Sequence, residues 1–279
     1  MNIFIHFRDF RIQDNRGLSK AMNKSGDIVP IFVFTPEQIQ ENKNKYFSNN
    51  SVQFLCEALD DLRKNIQKKG GELYIFHDNL VKALEKIHRE EGISTIHFNR
   101  DYTPYAKKRG NLIQAMGRRN NIAVYEHEDY LLAPVGSFLK GDGKPYTIYT
   151  PFRNNVHKNE TLIPRKEERR TFTFEKREKL KNMKECHYDI HEYYSKNPLL
   201  HVNGGRKNGL KYLSKAKSLH YDDDRNTLSI ETTNLSAFIK YGCLSIREVF
   251  YTLKDHHQIG ICDQLIWREF YFYIVHYFP

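Results

Sequence analysis

Five short apolar runs, separated by amphipathic stretches, occupy the first 125 residues and constrain the fold most. Each run is rich in β-branched or aromatic residues and is bounded by turn-forming residues, which is typical of strands. Between the runs, residues 52–69 and 80–91 repeat apolar side chains at helical spacing. Such alternation predicts right-handed crossovers and a parallel sheet covered on both faces. We therefore predict an α/β domain with a doubly wound parallel sheet, whose strands are NIFIHF, IVPIFVF, ELYIFH, TIHFN and IAVYEH.

Ligands of such folds bind outside the carboxyl ends of the strands. The residues that follow the predicted strands should therefore lie around one rim of the sheet. These residues are 8–11, 35–36, 77–78 and 99–102.

The remainder of the chain changes character twice. Residues 131–156 look irregular, and a charge-dense stretch that follows them lacks an apolar face, which indicates a surface linker. From about residue 204 the pattern is entirely helical. We predict a first domain over residues 1–130, a connecting segment over 131–200 and a helical domain over 201–279.

Composition favours a polyanionic partner but does not prove one. The 279 residues include 44 lysines and arginines against 34 acidic residues, a net charge of +10. This surplus suits nucleic acid, and it equally suits an unspecialised basic surface. Four scattered cysteines indicate reduced thiols. Without a signal peptide or an apolar run of spanning length, we expect an intracellular protein, cytoplasmic or nuclear, that is neither secreted nor bound in a membrane.

Two stretches resemble known motifs but lack residues that those motifs require. GSFLKGDGK resembles a phosphate-binding loop, but its lysine is displaced by one place and no Ser or Thr follows it. His187 and His191 stand four apart, as metal ligands on a helix can. A zinc site requires three or four ligands with ordered spacing, so we predict no metal site.

A cluster of hydroxyl and amide side chains precedes a helical run at residues 232–236. Free N–H groups at a helix amino terminus and neighbouring hydroxyls can bind phosphate. Ordinary capping by Ser and Thr explains the same pattern. Further along the chain, Ser245 followed by Glu248 is an example of ordinary capping, because the pair has the spacing of a capping box.

The final helix carries the stretch QLIWRE within an almost continuous apolar run from residue 265 to residue 278. Gln264, Trp267 and Arg268 are three and four residues apart and should share a face. That face could stack and hydrogen-bond a nucleobase, or Trp267 could be a core residue beside an Arg–Glu pair. A helix that is apolar all round also requires something to cover it.

Four stretches in order resemble the DNA photolyase/cryptochrome family. The stretch RDFRIQDNRGL is similar to the family's D-L-R-x-x-D-N-x-x-L opening, and GDGKPYTIYTPFRNN to its G-x-x-Y-x-V-F-T-P-F segment. TTNLS stands where the family has T-S-x-L-S, and QLIWREFY is similar to its E/Q-L-x-W-R-E-F-Y ending. The resemblance covers residues 3–279.

The resemblance implies a Rossmann-like antenna domain, followed by an all-helical domain that holds FAD. It also implies light-driven splitting of pyrimidine dimers that are flipped out of DNA. Carried over by position, the residues in contact with FAD would be Tyr221, Thr232, Thr233, Asn234, Leu235, Ser236 and Arg268. The residues in contact with DNA or the lesion would be Gln264, Trp267, Arg225 and, as a weaker candidate, Arg153.

Departures from the family pattern lead to further expectations. The family's T-G-W-x-H-N-R-x-R and N-x-G-x-W-Q-W stretches have no counterpart here, and Trp267 is the only tryptophan. We therefore expect a truncated FAD domain, no complete catalytic set, and inactivity of this chain unless a second chain supplies the rest. The alternative is a non-enzymatic, cryptochrome-like remnant or light-sensing binder. Tyr105 and Ala106 replace the Asn-Glu pair of folate-binding members, which leaves the antenna pigment unknown, and Gln264 leaves the lesion type open.

Overall fold

The computed structural model describes residues 1–279. Five strands appear where the sequence predicts them: β1 (Asn2–Ile5), β2 (Val29–Phe34), β3 (Tyr74–His77), β4 (Thr95–Asn99) and β5 (Ala123–His127). Twelve α-helices follow in chain order: α1 (Arg16–Ser25), α2 (Pro36–Ile39), α3 (Asn49–Gln67), α4 (Leu80–Glu91), α5 (Pro104–Arg119), α6 (Tyr149–Lys158), α7 (Glu178–Lys181), α8 (Arg206–Ala216), α9 (Tyr221–Asp224), α10 (Ser236–Lys240), α11 (Ile246–Lys254) and α12 (Ile259–Tyr277).

The sheet is entirely parallel, with strand order β3-β2-β1-β4-β5. The central strand β1 contributes side chains to a core on each face of the sheet, because successive side chains point to opposite sides. Phe4 joins a core with α1 and α3, whereas Ile3 and Ile5 join a second core with α4 and α5. Helices on both faces confirm the predicted doubly wound α/β fold.

The two helices predicted from spacing have clear local signals at their ends. Ser48 caps α3, with its hydroxyl accepting from the N–H of Ser51, and Gly70 follows the helix with a positive φ. Asn79 caps α4, and Gly92 ends it at φ +65°. A glycine has no Cβ to oppose this left-handed backbone.

The connecting segment, predicted as a surface linker, is exposed only in part: Phe138, Phe152 and Ile190 enter the core, and the segment is anchored to the sheet edge. Ile28 and Thr173 share a backbone hydrogen bond of 3.0 Å, and His77 donates to the carbonyl of Glu185 at 2.9 Å. The segment also contains α6, which packs against α12. His187 and His191 are not on an α-helix, and no cluster of residues could hold a metal ion.

The helical part shares one core of 43 buried residues with the α1–α3 face of the sheet. On α12, the side chains that enter this core include Ile266, Phe270 and Tyr273. The terminal helix is therefore covered along one side by its own chain, while Tyr271 and Phe278 stay exposed. No helix has the length and apolar character needed to cross a membrane.

Candidate functional site

A buried network of ions joins the sheet rim to the helical part. Asp129, just after β5, accepts from Arg11 at 2.6 Å and from Arg247 of α11 at 2.7 Å. Burial alone raises the pKa of Asp129, but the two guanidinium groups outweigh it and lower the pKa to about 2. The network holds α11 in a fixed position relative to the residues that follow β5.

Beside this junction lies a cleft of about 460 Å³ between the loop before α10 and one face of α12. We refer to it as the loop–helix cleft. Among its lining residues are two cations, Lys240 and Arg268, and no carboxylate. The cleft gathers all seven residues expected to contact FAD, together with Gln264: Tyr221, Thr232, Thr233, Asn234, Leu235, Ser236 and Arg268.

Contacts of three consecutive residues fix the conformation of the loop before α10. Leu235 is buried and anchors the loop, and Thr233 accepts a hydrogen bond from the Leu235 N–H at 3.4 Å. Asn234 has a φ of +53°, and its Oδ1 accepts from His201 at 2.9 Å. The other end of the amide, Nδ2, is buried and has no hydrogen-bond partner. A buried donor without a partner is costly, so this amide suits an acceptor in the cleft.

Arg268 contributes a second unused donor. Its Nη1 donates to the carbonyl of Tyr130 at 3.2 Å, but its buried Nη2 has no partner. It forms no ion pair, although Glu269 is its neighbour in sequence. Glu269 instead points into the core, where its carboxylate accepts from the N–H groups of Leu132 and Ala133 at 3.0 and 3.4 Å.

The structure separates Trp267 from the other residues of the predicted lesion-facing set. Gln264 and Arg268 line the cleft, whereas Trp267 stacks on Tyr149 of α6, with ring centroids 3.4 Å apart and planes at 10°. One face of the indole is therefore already covered. Gln264 lines the cleft, whereas Trp267 is half-buried against Tyr149, and the Arg–Glu pair of the alternative interpretation is not formed.

The two arginines expected to contact DNA differ in their surroundings. Arg225 is exposed at the end of α9 and has no ion-pair partner. Arg153 pairs with Asp263 at 2.9 Å. Arg225 is thus the freer of the two cations for a phosphate.

The predicted capping box is only half formed. The Ser245 hydroxyl accepts from the N–H of Arg247 and Glu248 and caps α11. The Glu248 carboxylate does not return to Ser245 but pairs with Arg206, at 2.7 and 2.8 Å. A bidentate contact with a guanidinium is stronger than the reciprocal cap, so tertiary packing overrides the local motif.

A second cavity, of about 680 Å³, lies at the carboxyl ends of β1, β2 and β4. We call it the rim cavity. Arg8 and Asp101 pair across it at 3.2 Å. Arg109 places its guanidinium 3.4 Å from the ring centroid of Phe7, and its Nε is buried without a partner. The rim cavity lies where the sheet topology predicts a ligand, but of the residues expected at this rim only Arg8 and Asp101 line it, and residues 35–36 and 77–78 do not.

Several lining residues were not identified from the sequence. Tyr130 lies two residues after Glu128 and beyond the end of β5, so its place at the carboxyl edge could have been inferred from the strand alone. Lys240 and Ile261 carry no motif in the sequence that would predict a site, and only the fold brings both to the loop–helix cleft.

Comparisons with known proteins agree with this arrangement. The DNA photolyase family model matches residues 3–170. A deoxyribodipyrimidine photo-lyase of Synechococcus is 23% identical, over 99% of this chain and 60% of that protein. Cryptochrome-1 of Aedes aegypti is 24% identical, over 98% of this chain and 57% of that protein.

Among solved structures, an archaeal photolyase from Sulfolobus tokodaii with two FAD molecules superposes with a TM-score of 0.84. It is 27% identical, and the match covers 100% of this chain and 60% of that one.

An α/β sheet domain joined to helices around a cation-lined cleft defines a photolyase-fold protein. The chain belongs to the DNA photolyase family, as the family match over more than half of its length shows. It spans about 60% of the length of the Synechococcus and archaeal relatives.

Proposed function

We propose that the loop–helix cleft binds FAD and that the protein serves light-driven repair of pyrimidine dimers in DNA. The observation that carries the proposal is the set of unused donors in a cleft without carboxylates. Asn234 Nδ2 and Arg268 Nη2 are both buried and unpartnered, and Lys240 adds a second positive charge. Such a site suits a phosphate-bearing cofactor with acceptor atoms along its length.

The residues present fit part of that cofactor. Thr232, Thr233 and Ser236 line the same cleft as the two cations, and their hydroxyls would hold the pyrophosphate. Arg268 would lie against the flavin. When bound, FAD supplies the light-driven electron transfer that splits a dimer, and the chain supplies binding, orientation and charge.

Gln264 is the residue that would read the lesion. It lines the same cleft as Arg268, and its amide can both donate to and accept from a base edge. Arg225, exposed and unpaired, would contact a phosphate next to the flipped bases. Removing one such contact should reduce the slope of log binding constant against log salt concentration by about one.

We propose the rim cavity as the site of a light-harvesting pigment. It combines aromatic walls with Arg109, whose guanidinium has no carboxylate partner. An aromatic, anionic pigment matches this lining. The archaeal relative, by its own description, carries a second FAD with a light-harvesting implication.

Flavin retention is the first experiment. The purified chain is incubated with FAD and desalted, and its absorption spectrum is recorded. Retained flavin bands that weaken in Arg268→Met support the proposal, since Arg268 lines the loop–helix cleft and not the rim cavity. Lys240→Met and Arg268→Met should each weaken binding about 10-fold, because each removes a charged hydrogen-bonding group. Lys215→Met, on the exposed face of α8, is the matched control and should change nothing. A chain that retains no flavin contradicts the proposal.

Repair is assayed on an oligonucleotide with one thymine dimer, illuminated or kept dark, with a 6–4 photoproduct as the second substrate. Light-dependent loss of one lesion identifies the substrate. Flavin retention without repair would favour the alternative, a non-enzymatic light-sensing binder. Repair that appears only after a separately produced segment of a relative is added would favour a two-chain enzyme.

The DNA contacts are tested by titrating binding against salt. Arg225→Ala should lower the slope, whereas Arg153→Ala should change it less because Asp263 already neutralises that arginine. Equal effects would contradict the assignment of Arg225.

A further inference from the structure

Tyr130 holds the guanidinium of Arg268 in two ways at once. The Cζ atom of Arg268 lies 4.3 Å from the centroid of the Tyr130 ring. The backbone carbonyl of the same tyrosine accepts from Arg268 Nη1 at 3.2 Å. The first contact is a cation–π interaction and the second a charge-assisted hydrogen bond.

Phe272 completes the enclosure of this guanidinium. Arg268 Cζ lies 4.9 Å from its ring centroid. The Tyr130 and Phe272 rings meet edge to face, with centroids 5.2 Å apart and planes at 89°. Two rings and a carbonyl therefore restrict the guanidinium, while Nη2 is left without a partner.

The hydroxyl end of Tyr130 is also held. Its oxygen accepts from Arg8 Nη1 at 3.4 Å, and Arg8 is paired with Asp101 at 3.2 Å. Arg8 lines the rim cavity, and Tyr130 lines the loop–helix cleft. This contact is long and half-exposed, so the hydroxyl adds little to the ring and the carbonyl that hold Arg268.

We propose that Tyr130 is a positioning residue for Arg268, which fixes the guanidinium so that Nη2 faces an acceptor of the ligand in the loop–helix cleft. The inference rests on the proposed function, since it takes that ligand to be FAD. A positive charge held against a flavin stabilises its more negative, reduced form. Tyr130 therefore sets both the affinity for FAD and the reduction potential of the bound cofactor.

The first test needs no cofactor. In 15N NMR of the flavin-free protein, the guanidinium signals of Arg268 are assigned with Arg268→Lys. Wild type and Tyr130→Phe should show slow rotation of this guanidinium, because both keep the aromatic ring at residue 130. Tyr130→Leu should show faster rotation, because only the backbone carbonyl and the Phe272 ring remain. Averaged signals in wild type, or rotation in Tyr130→Leu as slow as in wild type, would overturn the proposal.

The second test measures FAD affinity and the midpoint potential of the bound flavin. Tyr130→Leu should bind about 10-fold more weakly and shift the potential downward, since a cation–π contact contributes about 1 kcal/mol or more. Tyr130→Phe should stay within about 2-fold of wild type at an unchanged potential. Tyr188→Leu, at a surface tyrosine, is the control.

The outcomes separate this inference from the proposed function. If wild type binds no FAD but its guanidinium is immobile, the proposed function fails and the positioning of Arg268 stands. If wild type binds FAD and Tyr130→Leu does so equally well at the same potential, the positioning role is overturned. If Tyr130→Phe is as defective as Tyr130→Leu, the ring does not hold Arg268, which also overturns it.

Discussion

Arg247 of α11 donates to Asp129, just beyond β5, at 2.7 Å, and both side chains are almost fully buried. The same guanidinium donates to the backbone carbonyls of Asp14, Asp129 and Leu131. This contact joins the helical part of the chain to the carboxyl rim of the sheet. The loop–helix cleft lies beside that junction, so its shape depends on the ion pair.

Replacement of Arg247 by Met should destabilise the fold strongly. It leaves Asp129 with only Arg11 as a charged partner and the carbonyls of Asp129 and Leu131 without their donor. Breaking a buried ion pair from one side typically costs about 3–5 kcal/mol. Urea unfolding measures the change. Arg119→Met, at an exposed pair with Glu85, is the matched control and should cost less than about 1 kcal/mol. Equal losses would contradict the structural role of Arg247.

Glu269 should make stability depend on pH between about 4.5 and 7. Burial raises the pKa of its carboxyl to about 7, against the lowering effect of its two backbone donors. Because the folded pKa is the higher one, this contribution to stability is complete below the unfolded pKa and is lost as pH rises through the folded pKa.

The variant Glu269→Gln removes that titration. Between pH 5 and pH 8, the unfolding free energy of wild type should fall by roughly 2–3 kcal/mol relative to the variant. Denaturant titrations of both proteins across this range provide the measurement. A constant difference between them would show that Glu269 titrates normally.

Gly242 should not tolerate a side chain. Its φ is +64°, and a Cβ there would fall on the carbonyl oxygen of Arg8 and within 2.6 Å of Asp9 Cα. The neighbouring N–H of Phe10 donates to the Tyr241 carbonyl at 3.1 Å, so the two backbones are held in contact. Gly242→Ala should cost roughly 2 kcal/mol or more.

The matched variant for Gly242→Ala is Gly141→Ala, where a Cβ meets no atom within 4 Å. Thermal unfolding of the two proteins compares them. The close approach of the two backbones would be refuted if both variants melted at the same temperature as wild type.

The stack of Tyr149 on Trp267 gives the only tryptophan a distinctive environment. Tyr149→Leu removes the stacked ring and should cost about 1–2 kcal/mol, with the emission of Trp267 shifted to longer wavelength as water reaches the indole. Fluorescence-detected unfolding records both effects. Tyr149→Phe keeps the ring and loses only the hydrogen bond to the Asp263 carbonyl at 2.9 Å, so its emission maximum should match wild type. A shift in both variants would indicate that the hydroxyl, not the ring, shields Trp267.

The local elements could be predicted from the sequence because their signals are local. Short apolar runs rich in β-branched and aromatic residues identified all five strands, and their alternation with helices predicted the parallel sheet at whose edge the rim cavity lies. The spacing of apolar residues also located α3 and α4. The capping box at Ser245 was predicted only in part, since Glu248 found a stronger partner 42 residues earlier in the chain.

The residues proposed to contact FAD were predicted from the resemblance, not from their chemistry. Hydroxyl side chains before a helix indicate a cap as readily as a phosphate site. Only the fold brings the loop at Thr233 against Arg268, and only packing leaves Asn234 Nδ2 without a partner.

By itself, then, the sequence determined the five strands, helices α3 and α4 and the family of the chain, because periodicity and motif spacing are properties of neighbouring residues. The tertiary structure decided which side chains meet. Tyr130 and Arg268 are in contact although they lie 138 residues apart. Trp267 stacks on Tyr149, whereas Gln264 and Arg268 of the same helix line the loop–helix cleft. Contacts over such distances depend on how whole elements pack, and no local pattern encodes them.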